Sequence, residues 1–128
     1  MAKRYGTILV VEDEATLRRV ITRNLEARGH AVREAETVAE ALRHLTDWRP
    51  DLMLLDINLP DRSGWDVLRE LRERGMQVAT VIVSAVRVSP ARLEEFGPLG
   101  YLPKPFPLDA LLRLVDSDDE ESVPPEVE

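Results

Sequence analysis

The chain has 128 residues, 44% of them hydrophobic, which fits one domain with a sizeable core. It has no cysteine, which excludes disulfides, thiolate zinc sites and cysteine nucleophiles, and two histidines are too few for a typical zinc site. The net charge is −7, but seven acidic residues lie in 116–128, and the rest of the chain has 17 acidic residues against 17 Lys plus Arg. Because no basic stripe is evident, we expect no direct binding of nucleic acid.

The two ends of the chain suggest its surroundings. No apolar run approaches the roughly 20 residues of a membrane span. The opening residues, MAKRYG, lead directly into a strand-like run, with no room for a signal peptide. We therefore expect a cytoplasmic protein without membrane contact. Residues 117–128 are charged and proline-bearing with few apolar residues, so they favour a disordered tail or the start of a linker after a domain at 1–116.

The first elements alternate between strand and helix. A strand is predicted at residues 7–11, and the helix after it ends at Gly29. The face of this helix that packs on the sheet is predicted from apolar residues at helical spacing: Leu17, Val20, Ile21 and Leu25. A shorter, more polar strand follows at 30–35, and a capping-box pattern at Thr37 and Glu40 opens the second helix.

The same alternation continues to the end of the domain. The later elements are predicted as a strand at 51–56, a helix at about 64–74, a strand at 79–85, a short helix between Ser89 and Gly97, a strand at 100–104 and a helix at 107–116. Five strand–helix units predict an α/β fold, doubly wound, with a five-stranded parallel sheet and helices on both faces. In such a fold, ligands bind beyond the carboxyl ends of the strands.

Polar residues lie at or just after the carboxyl ends of four of the five predicted strands. They are Glu12 and Asp13 after the first strand, Asp56 at the end of the third, Ser84 in the fourth and Lys104 in the fifth. Taken singly, they have ordinary explanations: Asp13 as a helix cap, Ser84 as a turn residue and Lys104 as a surface cation. Their matching positions together favour one shared site.

The chemistry of these residue types points to phosphoryl transfer. Three carboxylates and one ammonium carry a net charge of −2, which is unfavourable in a partly dry site unless a cation is present, and Mg²⁺ prefers carboxylates, waters and phosphate oxygens. A carboxylate beside Mg²⁺ can act as a nucleophile on phosphorus, while Lys104 and the Ser84 hydroxyl suit phosphoryl oxygens and the small Ala85 leaves access. No P-loop pattern and no Ser-His-Asp constellation competes for this site.

Four motifs in this order resemble the receiver domain of two-component response regulators. They are the acidic pair Glu12-Asp13, LLDINLPDRSG around Asp56, VSA at Ser84 and YLPKPF around Lys104, within about residues 6–116. The resemblance implies the flavodoxin-like strand order 2-1-3-4-5. It also implies that Asp56 accepts a phosphoryl group from a histidine kinase or a histidine phosphotransfer protein.

The resemblance further implies a role for each matched residue. Mg²⁺ is expected between Glu12, Asp13, Asp56 and the backbone carbonyl of Asn58. The phosphoryl group is expected against Ser84, Ala85 and Lys104, with a cis peptide at Lys104-Pro105, and the switch at Ser84 and Tyr101. The outward face of the first helix is expected to dock the phosphodonor protein through Ala15, Arg18, Arg19 and Thr22.

The output of such a domain is expected at the fourth helix, the fifth strand and the last helix. The recipient would be a downstream protein, an output domain absent from this chain, or a second copy in a phosphorylation-dependent homodimer. Two departures from the family bear on this face. The fourth helix is shorter than usual, and four prolines lie in FGPLGYLPKPFP, so the rearrangement is expected to be small.

Two other functions remain as alternatives. An aspartyl-nucleophile phosphatase of the haloacid dehalogenase type also places an Asp near Mg²⁺, but it carries a second Asp two residues on, where this chain has Asn58. A receiver-like interaction module that takes no phosphate is the other, against which the full set of site residues argues. Beyond self-catalysed phosphoryl transfer to Asp56 and autodephosphorylation, we expect no enzyme activity.

Overall fold

The computed structural model describes residues 5–116, and the predicted tail at 117–128 lies outside the described residues. The strands are β1 (Thr7–Val11), β2 (Ala31–Ala35), β3 (Leu52–Asp56), β4 (Ala79–Ser84) and β5 (Gly100–Pro103). The helices are α1 (Ala15–Ala27), α2 (Val38–Asp47), α3 (Trp65–Glu73), α4 (Pro90–Phe96) and α5 (Leu108–Val115). Among these, no helix is long and apolar enough to cross a membrane.

The five strands form one parallel sheet in the order β2-β1-β3-β4-β5, as predicted. In register, Val11 of β1 lies opposite Leu55 of β3, and Asp56 lies opposite Val83 of β4. Parallel pairing in this register brings the carboxyl ends of the strands to one edge of the sheet. The polar residues that follow β1, β3, β4 and β5 therefore share that edge.

Alternate residues of the central strands enter two separate apolar layers. Leu9 and Met53 belong to the layer under α2, α3 and α4, whereas Ile8 and Leu52 belong to the layer under α1 and α5. All five residues of β3 are buried, because both faces of a parallel sheet are covered by helices. The carboxylate of Asp56, at the end of this strand, consequently lies at the edge of the buried core.

The predicted sheet-facing side of α1 is rotated in the structure. Val20 is 40% exposed, whereas Arg18 and Thr22 are 7% and 8% exposed. The buried stripe is Arg18, Ile21, Thr22 and Leu25, a spacing of three, one and three residues along the helix. The prediction that Val20 faces the sheet, with Arg18 and Thr22 outward, was wrong, because polarity alone does not show that a polar side chain such as Arg18 has buried hydrogen-bond partners.

Hydrogen bonds at the ends of α2 and α4 agree with the predicted caps. The Thr37 hydroxyl accepts from the Glu40 amide at 3.0 Å, and the Glu40 carboxylate accepts from the amide of Glu36 rather than that of Thr37. Ser89 caps α4 by accepting from the amides that follow Pro90. Gly97 ends α4 at a φ of 56°, in the left-handed region that favours glycine.

Candidate functional site

Asp56 is the last residue of β3 and is 3% exposed. One carboxylate oxygen, Oδ1, accepts from the amide of Asn58 at 3.0 Å. The other, Oδ2, accepts from the ammonium of Lys104 at 3.1 Å. Both oxygens thus have a donor, which meets the requirement for burying a carboxylate at this depth.

Glu12 and Asp13 lie at the end of β1, beside Asp56. Glu12 is 2% exposed, its amide donates to the carbonyl of Ala35 on β2, and its Oε2 accepts from the Glu14 amide at 3.0 Å. Asp13 is exposed. One oxygen from each of the three carboxylates, Glu12, Asp13 and Asp56, lies within 4.8 Å of the other two. The predicted convergence of the acidic residues is therefore present.

Lys104 joins two of these carboxylates. It follows β5, its amide donates to the Ser84 carbonyl at 2.8 Å, and its ammonium lies 2.9 Å from Glu12 and 3.1 Å from Asp56. The Lys104-Pro105 peptide is cis, as the resemblance implies. The lysine therefore lies inside the acidic cluster rather than on the surface.

The ionisation of the site reflects its burial and its crowding. Burial raises the pKa of Glu12 and the charge of Asp56 adds to this, outweighing the hydrogen bond from Lys104. Burial opposes the charge of Lys104, but hydrogen bonds to Glu12 and Asp56 outweigh it and raise the pKa of the ammonium. Three carboxylates around one ammonium leave an excess of negative charge. These oxygen ligands, one of them exposed, therefore fit a hard divalent cation such as Mg²⁺.

The loop between β3 and α3 folds back onto the end of the strand. The Gly64 amide donates to the Ile57 carbonyl at 2.7 Å, and Asn58 forms a bridge with Ser63. A Cβ at Gly64 would lie 2.3 Å from the carbonyl oxygen of Asp56, so no other residue fits there without moving the loop. Asn58, whose carbonyl is a predicted metal ligand, is exposed in this loop.

The other predicted phosphoryl and switch residues lie around the end of β4. Ser84 is 1% exposed, and its hydroxyl donates to the carbonyl of Val86 and accepts from the Val86 amide. Ala85 is exposed beside it. Tyr101 is half-buried on β5 and packs against the apolar layer under α2, α3 and α4. The backbone of Ser84 is thus bonded to Lys104 of the site, whereas its hydroxyl is bonded to Val86 in the loop that precedes α4.

Of the four predicted docking residues, two lie where the prediction requires. Ala15 and Arg19 are exposed on α1. Arg18 and Thr22 are buried, so their placement on an outward docking face was wrong. A further contact, not predicted from the sequence, is made by Asp61, whose two carboxylate oxygens accept from the amides of Val38 and Ala39 at the start of α2. An Asp in a loop gives no sign of a distant helix end, so no sequence signal would have found this contact.

This fold and this cluster define a class: an α/β domain whose acidic site lies at the carboxyl edge of a 2-1-3-4-5 parallel sheet. The response regulator receiver domain family model matches residues 8–116 of the chain. The chain therefore belongs to the receiver domain family of response regulators.

Relatives and solved structures agree with that assignment. The chain is 40% identical over 108 residues to the transcriptional regulatory protein KdpE of Mycobacterium tuberculosis, covering 82% of this chain and 47% of the relative. It is 35% identical to the response regulator MprA of Mycobacterium avium, covering 91% of this chain and 55% of the relative. The chain thus spans about half the length of these relatives.

Two solved structures have the same fold over most of the chain. The response regulator TrrA of Thermotoga maritima, solved in complex with Mg(2+)-BeF, superposes with a TM-score of 0.75 at 30% identity, covering 86% of this chain and 96% of that one. The receiver domain of a putative Luxo repressor protein from Vibrio parahaemolyticus gives a TM-score of 0.78 at 26% identity, covering 87% of each chain.

Proposed function

We propose that this chain is a phosphorylation-activated switch in which Asp56 accepts a phosphoryl group in a Mg²⁺-dependent reaction. The observation that carries the proposal is the contact of one partly buried ammonium, that of Lys104, with the buried carboxylates of Asp56 and Glu12, next to the exposed carboxylate of Asp13. The phosphodonor is a histidine kinase or a histidine phosphotransfer protein. Membership of the receiver family and the similarity to response regulators support this choice of donor.

In the proposed reaction, a carboxylate oxygen of Asp56 attacks the phosphorus of the donor. An O–P bond forms, the donor P–N bond breaks, and its electron pair remains on the donor nitrogen, which takes up a proton. Lys104 is already bonded to Asp56 Oδ2 and can pair with a phosphoryl oxygen as negative charge builds up there. The Ser84 hydroxyl can donate to another oxygen if it turns from the Val86 carbonyl, and the exposed Ala85 leaves access.

Glu12, Asp13, Asp56 and the Asn58 carbonyl would hold the metal. When bound, Mg²⁺ neutralises charge and polarises phosphoryl oxygens. The chain's own contribution is to hold these oxygens at the edge of the sheet before the metal arrives. The bonds of Glu12 to the Glu14 amide and of Asp56 to the Asn58 amide do this.

Intact-mass measurement after incubation with acetyl phosphate tests the proposal. We expect the wild type to gain one phosphoryl group with Mg²⁺ and none with EDTA, and Asp56→Asn to gain none. Asp47→Asn, an equal change of charge at an exposed residue of α2, is the matched control and should be labelled as the wild type is. Equal labelling of Asp56→Asn and the wild type would exclude Asp56 as the acceptor.

The phosphodonor protein is proposed to dock on the exposed side of α1, at Ala15 and Arg19. Arg19→Glu should slow transfer from a cognate kinase while labelling by acetyl phosphate stays intact. Arg43→Glu, the same change at an exposed position on α2, is the control. Parallel loss of both reactions would indicate a damaged fold instead.

The output is proposed to leave through the face of α4, β5 and α5, with Ser84 and Tyr101 as the switch. The recipient is an output domain, another protein or a second copy of the chain; output domains are supported by the greater length of the curated relatives. The proposed chemistry is limited to self-phosphorylation and autodephosphorylation at Asp56, without turnover of another substrate. The proposed location is the cytoplasm.

A further inference from the structure

Arg18 is a buried arginine close to the acidic site. Its side chain lies between α1 and β2 and is 7% exposed. Nη1 donates to the backbone carbonyl of Glu12 at 2.9 Å, and Nε donates to Oε1 of Glu34 at 2.8 Å. A buried guanidinium is retained only with partners of this kind, because an unpaired buried charge is strongly destabilising.

The carbonyl that Arg18 holds is part of the peptide that joins Glu12 to Asp13. Fixing this carbonyl fixes the peptide plane, since the peptide bond is planar. The plane in turn fixes the two Cα positions from which the side chains of Glu12 and Asp13 leave the backbone toward the end of β3. The Glu12 amide is already anchored to Ala35 of β2, so the guanidinium provides a second anchor on the other side of the residue.

Glu34 gives the guanidinium a fixed support on β2. Burial alone would raise the pKa of Glu34, but its interactions, of which the hydrogen bond from Arg18 is the largest, lower the pKa overall. The carboxylate is therefore ionised at neutral pH. The carbonyl of Glu34 is bonded to His44 of α2 at 3.0 Å. The guanidinium therefore connects the Glu12 carbonyl to β2, and β2 is in turn hydrogen-bonded to α2.

We propose that Arg18 is a positioning residue of the site: by holding the Glu12 carbonyl against Glu34, it sets the directions of the Glu12 and Asp13 carboxylates and thereby the affinity for Mg²⁺. This inference rests on the metal site of the proposed function. It also replaces the predicted role of Arg18 in docking a phosphodonor by a role in supporting the Glu12-Asp13 peptide. Only arginine offers two donors in a planar fork that reaches both acceptors.

The sign of the effect separates positioning from charge. A positive charge near a cation site weakens cation binding, so removing the charge alone would tighten Mg²⁺ binding. Removing the anchor of the loop weakens it instead. Arg18→Met removes both charge and anchor, whereas Arg18→Lys retains the charge but replaces the planar fork of donors with a single nitrogen, so positioning predicts weaker binding in both variants.

Calorimetric titration with Mg²⁺ and amide hydrogen exchange in Mg²⁺-free protein test the proposal. We expect Arg18→Met and Arg18→Lys to bind Mg²⁺ about 10- to 100-fold more weakly than the wild type, the range seen for residues that support metal ligands. Arg23→Met, the same change at an exposed position of α1, should stay within about twofold. In the absence of metal, the Glu14 amide, which donates to the Glu12 carboxylate, should exchange faster in both Arg18 variants.

Mg²⁺ affinity in Arg18→Met equal to or above that of the wild type would overturn the proposal. So would faster exchange that extends equally to the Ile82 and Val83 amides of β4, because this would indicate a general loss of stability. If Arg18→Met does not fold, Arg18→Lys decides by the same criteria. If the wild type binds no Mg²⁺, the proposed function fails, and local exchange at Glu14 alone then decides whether Arg18 holds the loop.

Discussion

At the scale of the residue, Glu12 is the carboxylic acid of the site whose pKa is raised. It is 2% exposed, and its pKa is raised by burial, which together with a smaller contribution from the charge of Asp56 outweighs the hydrogen bonds from Lys104 and from the Glu14 amide. An acid with a raised pKa in the folded state holds its proton more tightly there than in the unfolded chain. Its contribution to stability is therefore full below the unfolded pKa, near 4.5, and is lost as the pH rises through the folded pKa.

The first prediction concerns this pH dependence in Mg²⁺-free protein. We expect the free energy of unfolding of the wild type, relative to Glu12→Gln, to fall as the pH rises above the unfolded pKa near 4.5 and to level off above the folded pKa. Urea denaturation at a series of pH values with EDTA measures the difference. Glu26→Gln, the same replacement at an exposed position, is the control. A difference that is constant or rises with pH would contradict the raised pKa.

At the scale of the element, α4 is held at its carboxyl end by α3. Phe96 stacks on Trp65 with ring centroids 5.4 Å apart, and the Arg72 guanidinium lies 4.6 Å from the Phe96 ring. Arg72 also donates to the Glu95 carbonyl at 2.9 Å. Trp65 directly follows Gly64, which packs against Asp56, so α3 connects the site to α4.

The second prediction follows from this attachment. With Mg²⁺ and beryllofluoride as a phosphoryl mimic, amide exchange should change within residues 84–115, most at 84–89 and near Tyr101 and least at the end of α4 held by Phe96. Phe96→Ala should extend the change along α4, and Asp56→Asn treated alike is the control. Unchanged exchange across 84–115 with the mimic bound would mean that the signal leaves by another face.

Element order was predictable from the sequence, whereas the rotation of α1 was not. The alternation of apolar runs with helical spacing, and the helix ends at Gly29 and Gly97, can be recognised from neighbouring residues alone. The strand ends predicted in this way placed Glu12, Asp56 and Lys104 in one site, which the structure confirms. The burial of Arg18 depends on two acceptors from distant parts of the chain, the Glu12 carbonyl and Glu34. Such a pairing becomes visible only when β1, β2 and α1 are assembled.

At the scale of the whole molecule, the proposed metal site belongs to the folded chain alone. Its carboxylates come from the ends of β1 and β3, which pair in the sheet but are far apart in sequence. A ligand that binds only the folded state stabilises it by mass action. The sheet and the acidic cluster are thus thermodynamically linked.

The third prediction is a rise in melting temperature with Mg²⁺. At about 100 times its Kd, Mg²⁺ should add about 2.7 kcal/mol to the free energy of unfolding. Asp13→Ala should lose most of this gain with little effect on the metal-free fold, because Asp13 is exposed. Asp47→Ala, on α2, should keep the gain. Equal protection of Asp13→Ala and the wild type would place the metal elsewhere.

The most direct test of the central claim is chemical trapping of the phosphorylated residue. Borohydride reduces an aspartyl phosphate to homoserine with release of phosphate, so peptide mapping after treatment with acetyl phosphate and Mg²⁺ identifies the acceptor. We predict homoserine at position 56 in the wild type and none in samples prepared with EDTA. Homoserine at Asp13 or another aspartate, with position 56 unmodified, would contradict the account.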